Sequence, residues 1–234
     1  MSRMIVKIYY ENNILDDKCL CLDEVHIWII RWNSISYLVS QYWNIIEDDE
    51  KSELLRYKNI EDCMRSLTGK ILSRKLLSNY LGTSIQNIRI VKGKYGKPYM
   101  HSIQGYDEIR FSISHSNEFV VLAFTEFGSI GVDIEENKEF PQILRKLSNS
   151  EINEQTVLSN EDKFQNKIFY DEWTAKEAYV KALGLGLQKD LRTICIQGDK
   201  VFECGELMRS WKIISVNAVR GYSLSVAVNI KKKN

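Results

Sequence analysis

Phe111-Ser-Ile-Ser-His-Ser-Asn-Glu-Phe-Val-Val-Leu-Ala-Phe-Thr-Glu-Phe-Gly-Ser-Ile-Gly-Val-Asp-Ile-Glu135 is the run that decides how this 234-residue chain folds. It falls into β-branched and aromatic segments at Ile109–Ser114, Phe119–Phe124 and Ile130–Glu135, separated by short polar or glycine-containing turns, which predicts strands. Alternate residues of a strand face opposite sides. Ile130, Val132 and Ile134 then point into a core, and Asp133 and Glu135 present two carboxylates on one face. Adjacent carboxylates repel unless water or a cation relieves them, and Mg²⁺ is a hard cation that prefers such oxygens. Taken alone, the pair is equally what a solvated sheet edge carries.

The same reading extends outward. Asp62–Leu81 is predicted helical, because Leu67, Ile71, Leu72, Leu76, Leu77 and Tyr80 recur at helical spacing and Gly82 follows as a stop. Phe164–Leu183 is a second long helix, ended by Gly184 and Gly186, and Ser148-x-x-Glu151 has capping-box spacing. Further strands are predicted at Met4–Tyr10, Val25–Trp32, Ile88–Val91, Thr193–Ile196, Trp211–Val216 and Ser223–Ile230. The sum is an α+β fold of two similar halves related by a pseudo-twofold. Each half has a long helix on a mainly antiparallel sheet, with residues 1–125 and 126–234 as the halves. Clefts between such units commonly hold ligands, so the site is expected at their interface.

Composition narrows the function classes. With 32 Lys+Arg against 31 Asp+Glu, no global field recruits nucleic acid or a membrane, and Lys231–Lys233 reads as a solvated tail. The five cysteines form no C-x-x-C pair and offer no zinc spacing, which fits buried or half-buried thiols in a reduced compartment. No signal peptide is read in Met1–Tyr10, and the apolar runs Ile27–Ile30 and Phe119–Phe124 are too short to cross a bilayer. A cytoplasmic monomer is expected.

Two more segments carry chemistry. In Trp173-Thr-Ala-Lys-Glu-Ala-Tyr-Val-Lys181, the helical positions Trp173, Glu177 and Lys181 share one face, with Lys176 on its flank. Glu177 and Lys181 also have the spacing of an ordinary surface ion pair. In Phe111-Ser-Ile-Ser-His-Ser116, a histidine between serines offers donors to phosphate oxygens, or is simply exposed at a strand end. Gly96-Lys97-Pro98 upstream is turn chemistry.

The order G-K-P, F-x-x-S-H-S, G-V-D-x-E, W-x-x-K-E-A-x-x-K, running from about Arg65 to Leu187, resembles the 4′-phosphopantetheinyl transferase superfamily, in its larger surfactin-synthetase-activating branch. The resemblance implies transfer of the 4′-phosphopantetheine arm of coenzyme A to a serine of an apo-carrier protein, acyl or peptidyl. It implies Asp133, Glu135 and Glu177 as ligands of Mg²⁺, or Mn²⁺ in its place, with Glu177, Lys181 and His115 as the catalytic groups. Lys181 would protonate the leaving phosphate and Glu177 would be the base, with Glu151 in reserve. It implies Arg65, Lys97, Pro98, Ser114, His115 and Lys181 as coenzyme A contacts, Lys97 and Arg65 on the ribose 3′-phosphate. The carrier would serve fatty-acid, polyketide or nonribosomal peptide synthesis.

The chain departs from the pattern at Ser112, where the family has Asn, and at Glu50-Lys51-Ser52-Glu53, where basic residues are sparse. An inactive carrier-binding module would not keep a costly cluster of like charges. A Mg²⁺-dependent phosphohydrolase would use the same ligands with water as nucleophile.

Overall fold

The computed structural model of the chain describes residues 4–14, 16, 18–101, 109–138 and 160–230. Its strands are β1 (Ile5–Tyr10), β2 (Glu24–Arg31), β3 (Ile90–Lys92), β4 (Pro98–Met100), β5 (Arg110–Ser116), β6 (Phe119–Thr125), β7 (Ile130–Glu136), β8 (Ile194–Gln197), β9 (Lys200–Glu203), β10 (Glu206–Leu207), β11 (Trp211–Ser215) and β12 (Tyr222–Asn229). Its α-helices are α1 (Ser36–Tyr42), α2 (Asp48–Leu54), α3 (Ile60–Leu81) and α4 (Asn160–Leu183).

The alternation of strand side chains sets the layers. On β6 every residue is buried, because the strand has a core on each face. Val120, Leu122 and Phe124 join Trp28 and Ile30 of β2 under the apolar stripe of α3, from Leu67 to Leu81. Val121 and Ala123, with Val25, Ile27 and Ile29, face the other way. There they meet Ile130, Val132 and Ile134 of β7 and Leu224, Val226 and Val228 of β12. The outer face of that second sheet is covered by α4, whose Ala175, Ala178, Tyr179 and Ala182 pack with Ile194, Val201, Ile213 and Ala227. The order is helix, sheet, sheet, helix: the predicted α+β class, with a long helix on a mainly antiparallel sheet in each half.

The first sheet runs β1-β2-β6-β5 and the second β11-β12-β7; a β10-β9-β8 meander and a β3-β4 hairpin stand apart. Among the described residues only β1 on β2 is parallel. Local chemistry agrees with the α3 boundaries. Asn59 caps the N-terminus by accepting from the Glu61 N–H at 2.7 Å, and Gly82 ends the helix in the left-handed region at φ 58°. The α1 and α2 helices were not predicted; α1 buries only Leu38 and so shows no apolar stripe. The Ser148-x-x-Glu151 capping box lies outside the described residues. The cysteines are free, but four of them (Cys19, Cys21, Cys195, Cys204) are exposed, not buried as expected. Among the described residues no helix is long and apolar enough to cross a membrane.

The seam between the sheets positions the functional groups. Strands β5 and β7 lie side by side without a backbone ladder, each at the edge of its own sheet. Serine hydroxyls on alternate residues of β5 bridge the gap. Ser112 Oγ accepts from the Val132 N–H at 3.1 Å, and Ser116 Oγ accepts from the Glu136 N–H at 3.1 Å. These N–H groups sit on an edge that would otherwise be unpaired. Ser112, the departure from the family pattern, is therefore a structural link between the sheets.

Candidate active site

Three elements converge beside this seam. A cleft of about 370 Å³ is lined by Ile113, Ser114 and His115 of β5, Asp133 and Glu135 of β7, and Trp173, Glu177 and Lys181 of α4. The sequence places these side chains together for simple reasons. Strand periodicity turns Asp133 and Glu135 away from the Ile130/Val132/Ile134 core, and helix periodicity puts Trp173, Glu177 and Lys181 on one stripe. Gly131 sets the approach. A Cβ there would lie 2.0 Å from the Ala178 carbonyl oxygen and 2.4 Å from the Ala182 nitrogen, so only glycine lets α4 lie this close to β7.

Charge in the cleft is only partly balanced. Lys181 Nζ bonds Asp133 Oδ1 at 2.6 Å and donates to Ser114 Oγ at 2.9 Å, reaching across to β7. Ser114 Oγ in turn donates to Asp133 Oδ1 at 2.8 Å. Asp133 is 4% exposed, and its other oxygen, Oδ2, is buried without a hydrogen-bond partner. Glu135 accepts from Ser116 Oγ at 3.0 Å, yet burial and the Asp133 charge push its carboxyl up to about 7. Burial and Asp133 raise Glu177 as well. His115 is driven below its ordinary value by burial and by the neighbouring Lys181 and Arg65 charges.

Among the described residues no three His, Cys, Asp or Glu side chains form a set that closes on one ion. The donor chemistry nevertheless fits a hard divalent cation. A buried orphan carboxylate oxygen and two carboxyls destabilised as anions share one cleft, and a cation would relieve all of them.

A second cleft of about 480 Å³ adjoins the first through Ile113 and His115. Ser66, Lys70, Ser73 and Arg74 of α3 line it, with Gly96 and Pro98 opposite and Glu47, Asp49, Glu50 and Lys92 at its other side. Sequence reading missed the α3 residues, although Ser66, Lys70 and Ser73 recur at helical spacing and form a polar stripe. Their charges are internally paired. Arg74 Nη2 bonds Glu50 Oε2 at 2.7 Å, and Lys70 bonds Glu50 and Glu53, each at 3.2 Å. Lys51 is not part of this cleft and pairs with Asp48 at 3.1 Å.

Three expected positions lie elsewhere. Arg65 lines neither cleft; its Nη1 donates to the Asn117 carbonyl at 2.7 Å and its Nη2 pairs with Asp62 at 2.5 Å. The next residue, Ser66, faces the larger cleft in its place, one step of helix rotation away. Lys97 turns its ammonium onto the carbonyl oxygens of Ile130 and Ala182 and lines neither cleft. Lys176, expected on the flank of the smaller cleft, is buried and pairs with Glu172 at 2.6 Å.

Comparison with known proteins finds relatives of the whole region that carries these residues. A family model described as 4′-phosphopantetheinyl transferase, N-terminal, matches residues 30–126, and one described as 4′-phosphopantetheinyl transferase superfamily matches residues 129–227. The chain is 35% identical over 145 residues to the 4′-phosphopantetheinyl transferase gsp of Aneurinibacillus migulanus, covering 61% of this chain and 57% of that protein. It is 29% identical over 157 residues to Sfp of Bacillus subtilis (strain 168), covering 67% and 68%. To ffp of Bacillus subtilis it is 30% identical over 154 residues, covering 66% and 67%. The matched stretch thus spans between about half and two thirds of these relatives.

Proposed function

The chain belongs to the 4′-phosphopantetheinyl transferase superfamily, and from that premise we propose that it transfers the 4′-phosphopantetheine arm of coenzyme A to a serine of an apo-carrier protein. The observation that carries the reading is the smaller cleft. It gathers Asp133, Glu135, Glu177, Lys181 and His115, with Asp133 Oδ2 unpaired.

The roles follow from placement. Asp133, Glu135 and Glu177 would hold Mg²⁺, or Mn²⁺ in its place, which when bound neutralises the coenzyme A pyrophosphate. His115 stands where the two clefts join and can donate to that pyrophosphate from either side. The larger cleft, with Ser66, Lys70, Gly96 and Pro98, takes the nucleotide; residues 1–125 then form the nucleotide side and 126–234 the metal side. Ser114 keeps Asp133 and Lys181 in register.

The reaction forms one P–O bond and breaks another. The carrier serine oxygen attacks the β-phosphorus, and the bond from that phosphorus to the bridging oxygen of the α-phosphate breaks, releasing adenosine 3′,5′-bisphosphate. Glu177, beside the point where the serine would enter, takes the serine proton. Glu151, the reserve base, lies outside the described residues. Lys181 meets the charge developing on the leaving oxygen and supplies a proton there. The partners are coenzyme A and the carrier, with no nucleic acid or membrane, and the protein works as a cytoplasmic monomer.

The test is to incubate the chain with coenzyme A, Mg²⁺ and an apo-carrier and weigh the carrier. A gain of one phosphopantetheine group is expected. No gain with several apo-carriers, under conditions where coenzyme A binds, sinks the transferase reading. Release of the bisphosphate without a carrier replaces it with a hydrolase.

A further inference from the structure

Lys97 sits at a bend whose neighbours and side chain go opposite ways. Gly96 and Pro98 line the larger cleft, while Lys97 points to the seam between β7 and α4. The Gly93 N–H donates to the Lys97 carbonyl at 2.9 Å, and Gly96 takes φ 83°, which sets that direction. Lys97 Nζ donates to the carbonyl oxygen of Ile130, the first residue of β7, at 2.9 Å, and to that of Ala182, in the last turn of α4, at 2.8 Å.

Both acceptors are informative. The last four carbonyls of a helix have no partner within it, and a cation there also opposes the helix dipole. The Gly184 N–H that closes α4 goes to Val180 and Lys181, each at 3.1 Å, so Ala182 is left for Lys97. Gly184 has φ 72°, and a Cβ there would come within 3.3 Å of Lys97 Cδ, so the turn after α4 is shaped around the lysine stem. Ile130 adjoins Gly131 in sequence and Ala182 is part of the Gly131 contact, where β7 and α4 lie too close for a Cβ. From there the chain runs on to Asp133 and Glu135 along β7, and back to Lys181 and Glu177 along α4.

Even half-buried, an ammonium is an expensive way to fill space; a methionine would pack with no desolvation cost. What the ammonium adds is two directed bonds from a third element. Resting on the transferase reading above, we propose that Lys97 is a positioning residue: by bonding Ile130 and Ala182 it fixes β7 against α4, and so the spacing of Asp133 and Glu135 from Glu177 and Lys181. It also ties the nucleotide-side hairpin to the metal-side elements, so that the wall of one cleft and the charges of the other move as one body. Lys97 touches neither the reacting atoms nor a phosphate.

The variants are Lys97→Met, which keeps the length without donors, and Lys97→Gln, which keeps a neutral donor and guards against a Met variant that fails to fold. Each is compared with the wild type for kcat, for KM with coenzyme A and with dephospho-coenzyme A, for Mn²⁺ affinity by electron paramagnetic resonance with coenzyme A present, and for Tm. For Lys97→Met the expectation is a kcat about 10-fold lower or more. Mn²⁺ binding weakens in parallel, both KM values stay within about twofold, and Tm moves by no more than about 4 °C. Lys97→Gln falls between Met and wild type. A lower Tm with kcat and Mn²⁺ affinity unchanged overturns the proposal in favour of plain packing. A KM raised for coenzyme A but not for dephospho-coenzyme A overturns it in favour of a 3′-phosphate contact. If the wild type binds Mn²⁺ but transfers nothing, the transferase reading fails while the Mn²⁺ comparison still decides the part of Lys97; a wild type that binds no Mn²⁺ overturns both.

Discussion

Two buried acidic clusters in this molecule are built to opposite plans. In the first half, Glu24 is 5% exposed and each of its carboxylate oxygens has a partner. Lys7 Nζ bonds its Oε1 at 2.5 Å, and His26 Nε2 meets its Oε2 at 2.8 Å. Tyr80 Oη lies 3.0 Å from His26 Nδ1 and accepts from Trp28 Nε1 at 2.7 Å. A neutral His26 donating to Glu24 and accepting from Tyr80 completes the chain. Burial alone would raise Glu24, but the bonds from Lys7 and His26 outweigh it and its carboxyl is held below the ordinary value. In the second half, Asp133 Oδ2 has no partner and Glu135 and Glu177 are pushed up. A fold with no use for the second cluster would gain by pairing it fully or removing it, so its incompletely paired carboxylates are the candidates for the metal site proposed above.

The largest expected effect is on the unpaired side. Glu177→Gln should reduce metal-dependent transfer at least about 100-fold, read as carrier mass gained per minute. Tm in the presence of a chelator should not fall, because one of three like charges has been removed. Full activity in this variant refutes the metal assignment; a collapsed Tm breaks the comparison by making Glu177 part of the scaffold.

Next in size is the packing that makes an unpaired cluster tolerable. Gly131→Ala drives a methyl into the α4 backbone at Ala178 and Ala182 and should cost about 3 kcal/mol in denaturant unfolding, with transfer lost as well. Unfolding unchanged by that substitution means that α4 and β7 slide freely and do not hold the acids apart.

Sequence periodicity alone made much of this legible. α3 and β7, which each bury an apolar stripe, were predicted to within a few residues because one-sided burial imposes period 3.6 or 2 on the chain; β6, buried on both faces, was legible instead as an unbroken β-branched and aromatic run. The two acidic clusters, however, look alike in sequence. Glu24-Val-His-Ile27 alternates polar and apolar just as Val132-Asp-Ile-Glu135 does. Their difference lies in partners brought from elsewhere: Lys7 from β1 and Tyr80 from α3 in one case, and in the other Lys181 from α4 with Ser114 and Ser116 from β5, which together leave Asp133 Oδ2 unpaired among the described residues. Rotation was equally hidden. Nothing in Met64-Arg-Ser-Leu67 says that Ser66 and not Arg65 faces the cleft, and Gly96-Lys97-Pro98 fixes a bend without saying which side the lysine leaves by. The ordered motifs pointed to the smaller cleft because they sample all three elements that line it, β5, β7 and α4.

The smallest effect sharpens the paired side. Glu24→Gln removes a carboxylate that two donors need, leaving Lys7 or His26 short of an acceptor, and should cost about 2 kcal/mol of stability at neutral pH with transfer unchanged. The pH dependence has a defined sign. Glu24 is depressed in the folded state, so its contribution is present above the ordinary value of 4.5 and is lost as pH falls through the lower folded value. His26 is also depressed, chiefly by burial, so the unfolded chain takes up its proton first and stability begins to fall as pH drops below 6.5. The charged and titratable groups acting on the pair are Lys7, Lys18, Tyr9 and Tyr80. Of these only Lys7 bonds Glu24, and it stays protonated throughout this range. The difference in unfolding free energy between wild type and Glu24→Gln should therefore hold from pH 8 to about pH 5 and shrink below the carboxylate range. A difference that stays constant into strong acid means Glu24 contributes through packing and not through charge, and the contrast between the two clusters then rests on the cleft alone.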